Sequence, residues 1–136
     1  MNITEIKKQL INHEGLRLKP YRCTAGKLTI GVGRNIEDVG ISEDEAMMML
    51  GNDIDACVDD LRGMFPDFYL LPENIQYVLV DMRFQLGPKR FRGFRMMIRA
   101  VENKDWPEMR RQMKDSAWYA QTQGRANTLI RMVKNV

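Results

Sequence analysis

Glu14, Cys23 and Thr29 place a carboxylic acid, a thiol and a hydroxyl in one short N-terminal stretch. Carboxylic acids transfer protons, thiolates act as bases or nucleophiles, and hydroxyls hold water. Cleavage of a glycoside needs a carboxyl that still carries its proton near neutral pH. Glu14 stands just before Gly15, where a helix should end. The unpaired carbonyls of a helix end carry about half a negative charge, which disfavours a carboxylate, and burial in a cleft acts the same way. Taken alone, the local sequence still favours an ordinary surface glutamate, because functionally perturbed carboxylates are a minority.

A free thiol with a pKa of about 8.5 is only a few per cent ionised at neutral pH, and a neighbouring cation such as Arg22 raises that fraction. A cysteine protease or amidase would need a histidine beside Cys23, and His13 is the one histidine in the chain. At the helix end, His13 reads instead as a surface or structural residue. Thr29 alternates with Leu28 and Ile30, so on a strand its hydroxyl faces away from them and can hold a water. Cys57 falls on the apolar side of a helix and reads as a small buried hydrophobe. Cys23 and Cys57 have no metal-ligand spacing, so no metal site is expected, and no motif implies a cofactor.

The elements that must carry these groups follow from periodicity. Ile3, Ile6, Leu10 and Ile11 share one helical face behind an Asn2/Glu5 capping signature, and the helix should run out near Asn12. Leu16, Leu18 and Lys27 to Gly33 suit short strands around a Thr24-Ala25-Gly26 turn. Ser42 with Glu45 opens a second amphipathic helix through Ala46, Leu50, Ile54, Cys57, Val58 and Leu61. Pro72 sits at a first helical position before Ile75, Val78, Leu79 and Met82, and Gly87-Pro88 stops that helix. Phe94 to Val101, Trp106 to Met113 behind an Asp105/Glu108 capping box, and Ala126 to Val133 continue the helical period. The reading is a single α+β domain, mostly helical: a small lobe with a β-hairpin or short antiparallel sheet, a helical-bundle lobe, and a cleft between them. Met82, Trp106, Trp118 and most of the eleven methionines read as core.

At 136 residues and 44% hydrophobic composition, one compact domain is expected. Apolar runs such as Met47 to Leu50 are far shorter than the roughly 20 residues of a membrane span. Lys7, Lys8 and Gln9 interrupt the apolar positions of the first segment, so no secretory leader is expected and the protein should accumulate in the cytoplasm where it is made. The net charge is +3, and Arg83, Arg90, Arg92, Arg95, Arg99, Arg110 and Arg111 crowd the second half. This favours polyanionic partners, but no nucleic-acid motif accompanies the charge, which reads as a solvated basic surface.

The runs His13-Glu14-Gly15-Leu16-Arg17-Leu18, Tyr21-Arg22-Cys23-Thr24-Ala25-Gly26 and Leu28-Thr29-Ile30-Gly31-Val32-Gly33 together resemble the lysozymes of the T-even bacteriophages and their relatives, glycoside hydrolase family 24. The family triad is Glu, eight residues, Asp or Cys, five residues, Thr, and Glu14, Cys23 and Thr29 keep both spacings. Downstream, Met82-Arg83-Phe84-Gln85-Leu86-Gly87 and Trp118 to Ala126 look like the helical-lobe signatures of the family, in the same order. The resemblance covers most of residues 1–130 and implies a peptidoglycan-cutting enzyme acting as an endolysin. Glu14 is then the acid that protonates the glycosidic oxygen, and Arg125 pairs with it. Phe84, Gln85 and Gln121 line the substrate cleft with Arg125. The implied lobes are about 13–60 on one side and 1–12 with 61–136 on the other, in a monomer with no stable membrane association and no nucleic-acid partner. A separate holin-type partner would give access to the wall.

The departures are specific. Cys23 replaces the commoner aspartate. Arg34 replaces the histidine usual after the Thr-Ile-Gly-x-Gly run, and an Arg34–Asp53 pair is expected in place of that histidine's salt bridge. Only Asn35 to Ile41 separate Arg34 from the second helix, which puts the family's third strand in question. The chain also ends soon after Val133, where longer relatives carry a further helical segment. Two other readings stay open. One is a lytic transglycosylase, using one glutamate as acid and then base and leaving anhydro ends. The other is a non-catalytic wall-binding or nucleic-acid-binding module in which the cysteine marks lost activity.

Overall fold

The computed structural model describes Met1–Val136. The chain divides into two compact units, Met1–Met49 and Leu50–Val136. No helix is long and apolar enough to cross a membrane.

In the first unit, helix α1 spans Ile3–Glu14. The Asn2 side chain caps it by accepting the Glu5 amide at 3.1 Å, and Gly15 ends it at φ 80°, donating its amide to Ile11 O. The helix therefore runs two residues beyond Asn12, and Glu14 is its last residue. None of its residues is fully buried, and Ile3, Leu10 and Ile11 are exposed.

Strands β1 (Arg17–Arg22), β2 (Leu28–Gly31) and β3 (Arg34–Asn35) form an antiparallel sheet in that order. β1 pairs with β2 through Tyr21 opposite Thr29 and Arg22 opposite Leu28, with an irregularity between Arg17 and Tyr21. Pro20 lies in that irregular stretch of an edge strand, where its missing N–H costs no ladder bond. The third strand is present after all, cut to two residues, with Thr29 opposite Asn35 and Ile30 opposite Arg34. What makes it possible is the Gly31-Val32-Gly33 turn. Both glycines have positive φ, 71° and 64°, a conformation that costs other residues about 1–2 kcal/mol. The chain thus reverses within three residues and still leaves room for a short pairing.

Helix α2 spans Glu43–Met64. The capping box at its start is complete: Ser42 Oγ accepts the Glu45 amide at 3.1 Å and Glu45 Oε1 accepts the Ser42 amide at 2.9 Å. The expected Arg34–Asp53 pair does not form, because the Arg34 guanidinium forks onto Glu45 instead, at 3.0 and 2.9 Å. Two parallel N–H···O bonds match the geometry of a carboxylate better than a single contact does. Arg34 also donates to Gly40 O at 3.2 Å, so one side chain ties β3, the following turn and the start of α2.

The second unit is helical. A 3-10 turn at Phe68–Leu70 precedes α3 (Glu73–Arg92), α4 (Arg95–Glu102), α5 (Trp106–Lys114), α6 (Ala117–Gln121) and α7 (Gln123–Lys134). Gly87 interrupts α3 at φ 78°, ψ 170°, and a short helical turn resumes at Pro88, which lacks the N–H that an unbroken helix would use there. Leu61 of α2, Ile75, Val78, Leu79 and Met82 of α3, Met109 and Met113 of α5, and Leu129 and Val133 of α7 make the core. These residues recur at helical spacing on each element, which is why their sequence pattern is readable. Cys57 and Trp118 are buried and Trp106 packs partly buried against the core. The methionines divide. Met82, Met97, Met109 and Met113 are buried, whereas Met47, Met48, Met49 and Met96 are exposed.

Asp60 of α2 accepts from Arg83 at 2.7 Å and from Arg92, tying both halves of the interrupted α3 to α2. Burial works against the charged form of Asp60, but hydrogen bonds from Arg83 and Arg92 outweigh it and hold its pKa low.

Candidate active site

Glu14 ends α1 exposed, and its carboxyl lies against the backbone of Gly33. A β-carbon at Gly33 would stand 3.2 Å from the Glu14 carboxyl carbon and 2.9 Å from Oε2, and the second distance is closer than real β-carbons approach. Gly33 thus serves twice, by its positive φ and by its missing side chain. Together with Lys7, Leu10, Ile11 and Val32, Glu14 and Gly33 line a mostly apolar hollow of about 470 Å³.

Cys23 and Thr29 meet at the carbonyl of Lys27. The Cys23 amide donates to Lys27 O at 3.0 Å, and the Thr29 hydroxyl donates to the same oxygen at 2.8 Å. Gly26 N–H returns to Cys23 O at 2.8 Å, closing a tight turn over residues 23–26. Thr29 is only 3% exposed, so its hydroxyl is the fixed end of this arrangement, whereas Cys23 is half-buried. The thiol's pKa is lowered, first by a hydrogen bond from the Lys27 amide and then by one from the Ala25 amide. Desolvation opposes these, and Thr29 adds a smaller contribution when its one proton turns to the sulfur instead of to Lys27 O. Amides aimed at a sulfur stabilise its negative form, since they supply fixed positive dipole ends.

The turn is framed by charge. Arg22 donates to Gly26 O at 3.0 Å and to Glu37 at 3.2 Å, and Lys27 pairs with Glu37 and Asp38 at 3.5 and 3.4 Å. Glu37 also accepts the Leu28 amide at 3.4 Å.

In the helical unit, Phe84 and Arg125 share an apolar hollow of about 500 Å³ with Leu50, Ile54, Val58, Tyr77 and Asp81. Phe84 is 44% exposed, which is high for an aromatic in a helix next to a core. Arg125, expected as the partner of Glu14, has its guanidinium on Asp81, at 2.7 Å from Nε and 2.6 Å from the second nitrogen. The side-chain oxygen of Gln85 accepts the indole N–H of Trp118 at 2.8 Å, which leaves its amide N–H groups free to donate. Gln121 is exposed at the end of α6.

Sequence reasoning did not find Gly33, Glu37, Asp81 or the Glu45 partner of Arg34. The Gly-x-Gly spacing was a usable signal for Gly33. The others are ordinary acidic residues whose partners lie far along the chain.

The phage lysozyme family model matches residues 11–133, a span that runs from before Glu14 to beyond Arg125. The chain belongs to the phage lysozyme family. Probable T4-type lysozyme 1 of Dictyostelium discoideum is 26% identical over 161 residues, covering 97% of this chain and 95% of that protein. The pre-baseplate central spike protein Gp5 of Enterobacteria phage T4 is 28% identical over 154 residues, covering 93% of this chain but 27% of the spike protein. Peptidoglycan hydrolase gp36 of Pseudomonas phage phiKMV is 23% identical over 131 residues, covering 92% of this chain and 14% of that hydrolase. In a phage lysozyme, a carboxyl at the end of α1 and a thiol and hydroxyl on the following hairpin are chemically suited to glycoside cleavage.

Proposed function

We propose that this lysozyme-type cell-wall hydrolase cuts the β-1,4 bond between N-acetylmuramic acid and N-acetylglucosamine in bacterial peptidoglycan, and that it lyses the host cell for phage release. One observation carries the reading: the Glu14 carboxyl packs against Gly33 at the rim of an open hollow, on the same unit as Cys23 and Thr29, whose backbone amide and side-chain hydroxyl both donate to Lys27 O. The hydrolase name of the phiKMV relative points to the same substrate.

In this reading Glu14 gives its proton to the glycosidic oxygen as the bond to the anomeric carbon breaks. A water adds at that carbon and passes its proton to the Cys23 thiolate, with Thr29 holding the water by a lone pair left free by its bond to Lys27 O. Phe84, Gln85, Gln121 and Arg125 are the substrate-binding set of the helical unit. An exposed aromatic face suits a sugar ring, and an arginine fork suits the carboxylates of the wall peptides. The whole chain works as one lysozyme domain, reaching the wall from the host cytoplasm through a separate membrane-permeabilising partner.

The test is digestion of purified peptidoglycan with wild type, Glu14→Gln and Cys23→Ser, followed by mass spectrometry of the new ends. Reducing ends from wild type, lost in Glu14→Gln, support hydrolysis by this acid. Anhydro ends would make the protein a lytic transglycosylase, and no soluble fragments would leave a wall-binding module. Full cutting by Glu14→Gln would overturn the assignment of the acid.

A further inference from the structure

We propose that Glu37 is a positioning residue that holds the Cys23 turn in its reacting shape by clamping the residues immediately before Cys23 and before Thr29. This rests on the reading of Cys23 as a reacting group, but its geometry stands apart from that reading. Glu37 lies in the turn between β3 and α2, and its carboxylate reaches back across the sheet to both sides of the 23–26 turn. Oε1 accepts from Arg22 at 3.2 Å and from the Leu28 amide at 3.4 Å, while Oε2 pairs with Lys27 at 3.5 Å. The Glu37 amide in turn donates to Leu28 O at 3.3 Å, so Leu28 is gripped by both of its backbone groups. Arg22, held by this carboxylate, donates to Gly26 O and closes the far side of the turn.

The consequence is geometric. The turn beside the thiol is closed by Cys23 N–H on Lys27 O and Gly26 N–H on Cys23 O, at 3.0 and 2.8 Å, and it carries the Lys27 and Ala25 amides that lower the thiol's pKa. Those amides aim at the sulfur only while the turn stays tight, and the ends of the turn are the residues that Glu37 holds. A hairpin loop without such a tie samples several shapes, and each donor is lost in most of them. Asp38, the neighbouring acid, pairs with Lys27 and Asn35 but makes no bond to Arg22 or Leu28.

The charge of Glu37 and its clamping act in opposite directions, which makes the proposal testable. The charged groups around the turn are Arg22, Lys27, Glu37 and Asp38. A carboxylate near a thiol by itself hinders ionisation of the thiol, so a role through charge alone requires that both Glu37→Ala and Glu37→Gln make Cys23 more reactive. Clamping requires the reverse for alanine. The measurement is the rate of iodoacetamide alkylation of Cys23, followed by peptide mass from pH 6 to 10 on the full chain.

Below the thiol pKa this rate tracks the thiolate fraction, so the expected result is a fall of about three- to tenfold at pH 7 in Glu37→Ala. Glu37→Gln keeps an oxygen for the Leu28 amide and Arg22, and should stay within about twofold of wild type, as should Asp38→Asn. Unchanged or faster alkylation in Glu37→Ala overturns the proposal. If the alanine variant does not fold, Glu37→Ser, whose side chain is too short to reach Arg22 or the Leu28 amide, takes its place: the same fall of about three- to tenfold supports the clamp, and unchanged or faster alkylation overturns it. Wall-digestion rates separate this from the reading of Cys23. Full activity in Cys23→Ser removes the catalytic role of the thiol, whatever Glu37 does to its alkylation.

Discussion

The carboxyl of Glu14 rests on the bare α-carbon of Gly33, so that a methyl group at residue 33 would fall 2.9 Å from Oε2. A helix end and a hairpin tip are thereby fitted to each other through the one residue type that allows both the approach and a φ of 64°. Gly33→Ala should lower the melting temperature by several degrees, from about 1–2 kcal/mol of backbone strain. It should also cut wall hydrolysis by about tenfold or more, because a displacement of about 1 Å at a proton donor is costly. Glu14→Gln should lose activity by about 100-fold or more with little change in stability, since the side chain is exposed. Thermal melts and a dye-release assay on labelled cell walls check both. A Gly33→Ala variant with full activity would mean that the close approach has no bearing on the chemistry.

Cys23→Asp should stay active, because the Lys27 and Ala25 amides that now favour a thiolate would serve a carboxylate as well. Cys23→Ser should fall by about tenfold or more, a hydroxyl being too weak a base. The pH profile carries the sharper distinction. With a thiolate base, the wild-type rate rises with pH as the thiol ionises, over a range below the usual value of about 8.5. In Cys23→Asp that rise should move down by several units, since aspartate ionises near 3.9. Identical acid limbs in the two proteins would show that residue 23 is not the group that titrates.

Glu45 holds two structural roles with one carboxylate, capping α2 and binding Arg34. The bond from Arg34, followed by those from Ser42, brings its pKa from 4.5 down to about 2. The sign follows from a folded-state value below the unfolded one. Stability from Glu45 is fully present above pH 4.5 and is lost as pH falls through about 2. The melting temperature of wild type should therefore exceed that of Glu45→Gln by a constant margin above about pH 5, and the margin should shrink toward pH 2. A margin that does not change with pH would show that the Arg34 pair contributes nothing in solution.

Gln85 accepts the indole proton of a buried Trp118. Gln85→Leu removes the acceptor and should cost about 1–3 kcal/mol, a drop of about 3–10 °C in melting temperature. Gln85→Glu keeps an oxygen in place and should lie near wild type. Equal melting temperatures for wild type and Gln85→Leu would mean that another acceptor, such as water, reaches the indole.

The helices were legible in the sequence because their information is local. Ile75, Val78, Leu79 and Met82 repeat with the helical period whatever they pack against, and Ser42 with Glu45 forms its capping box from residues three apart. The phage lysozyme family was legible from residue types at fixed spacings, and the family model matches residues 11–133. The two-residue β3 was not legible, because so short a strand has no periodicity of its own and exists only through its pairing with β2.

What the tertiary structure alone decided is which polar groups face one another. Arg34 could reach an acid at residue 45 or 53, and the difference is a turn or two of helix set by how β3 enters α2. Arg125 found Asp81, Gln85 found Trp118, and Glu37 found Arg22 and Leu28, each across a separation no local pattern encodes. Hydrophobic burial is non-directional and writes itself into sequence as periodicity, so it survives being read one residue at a time. A hydrogen bond requires its partners within about 3 Å at a fixed angle, and only the folded chain brings them there.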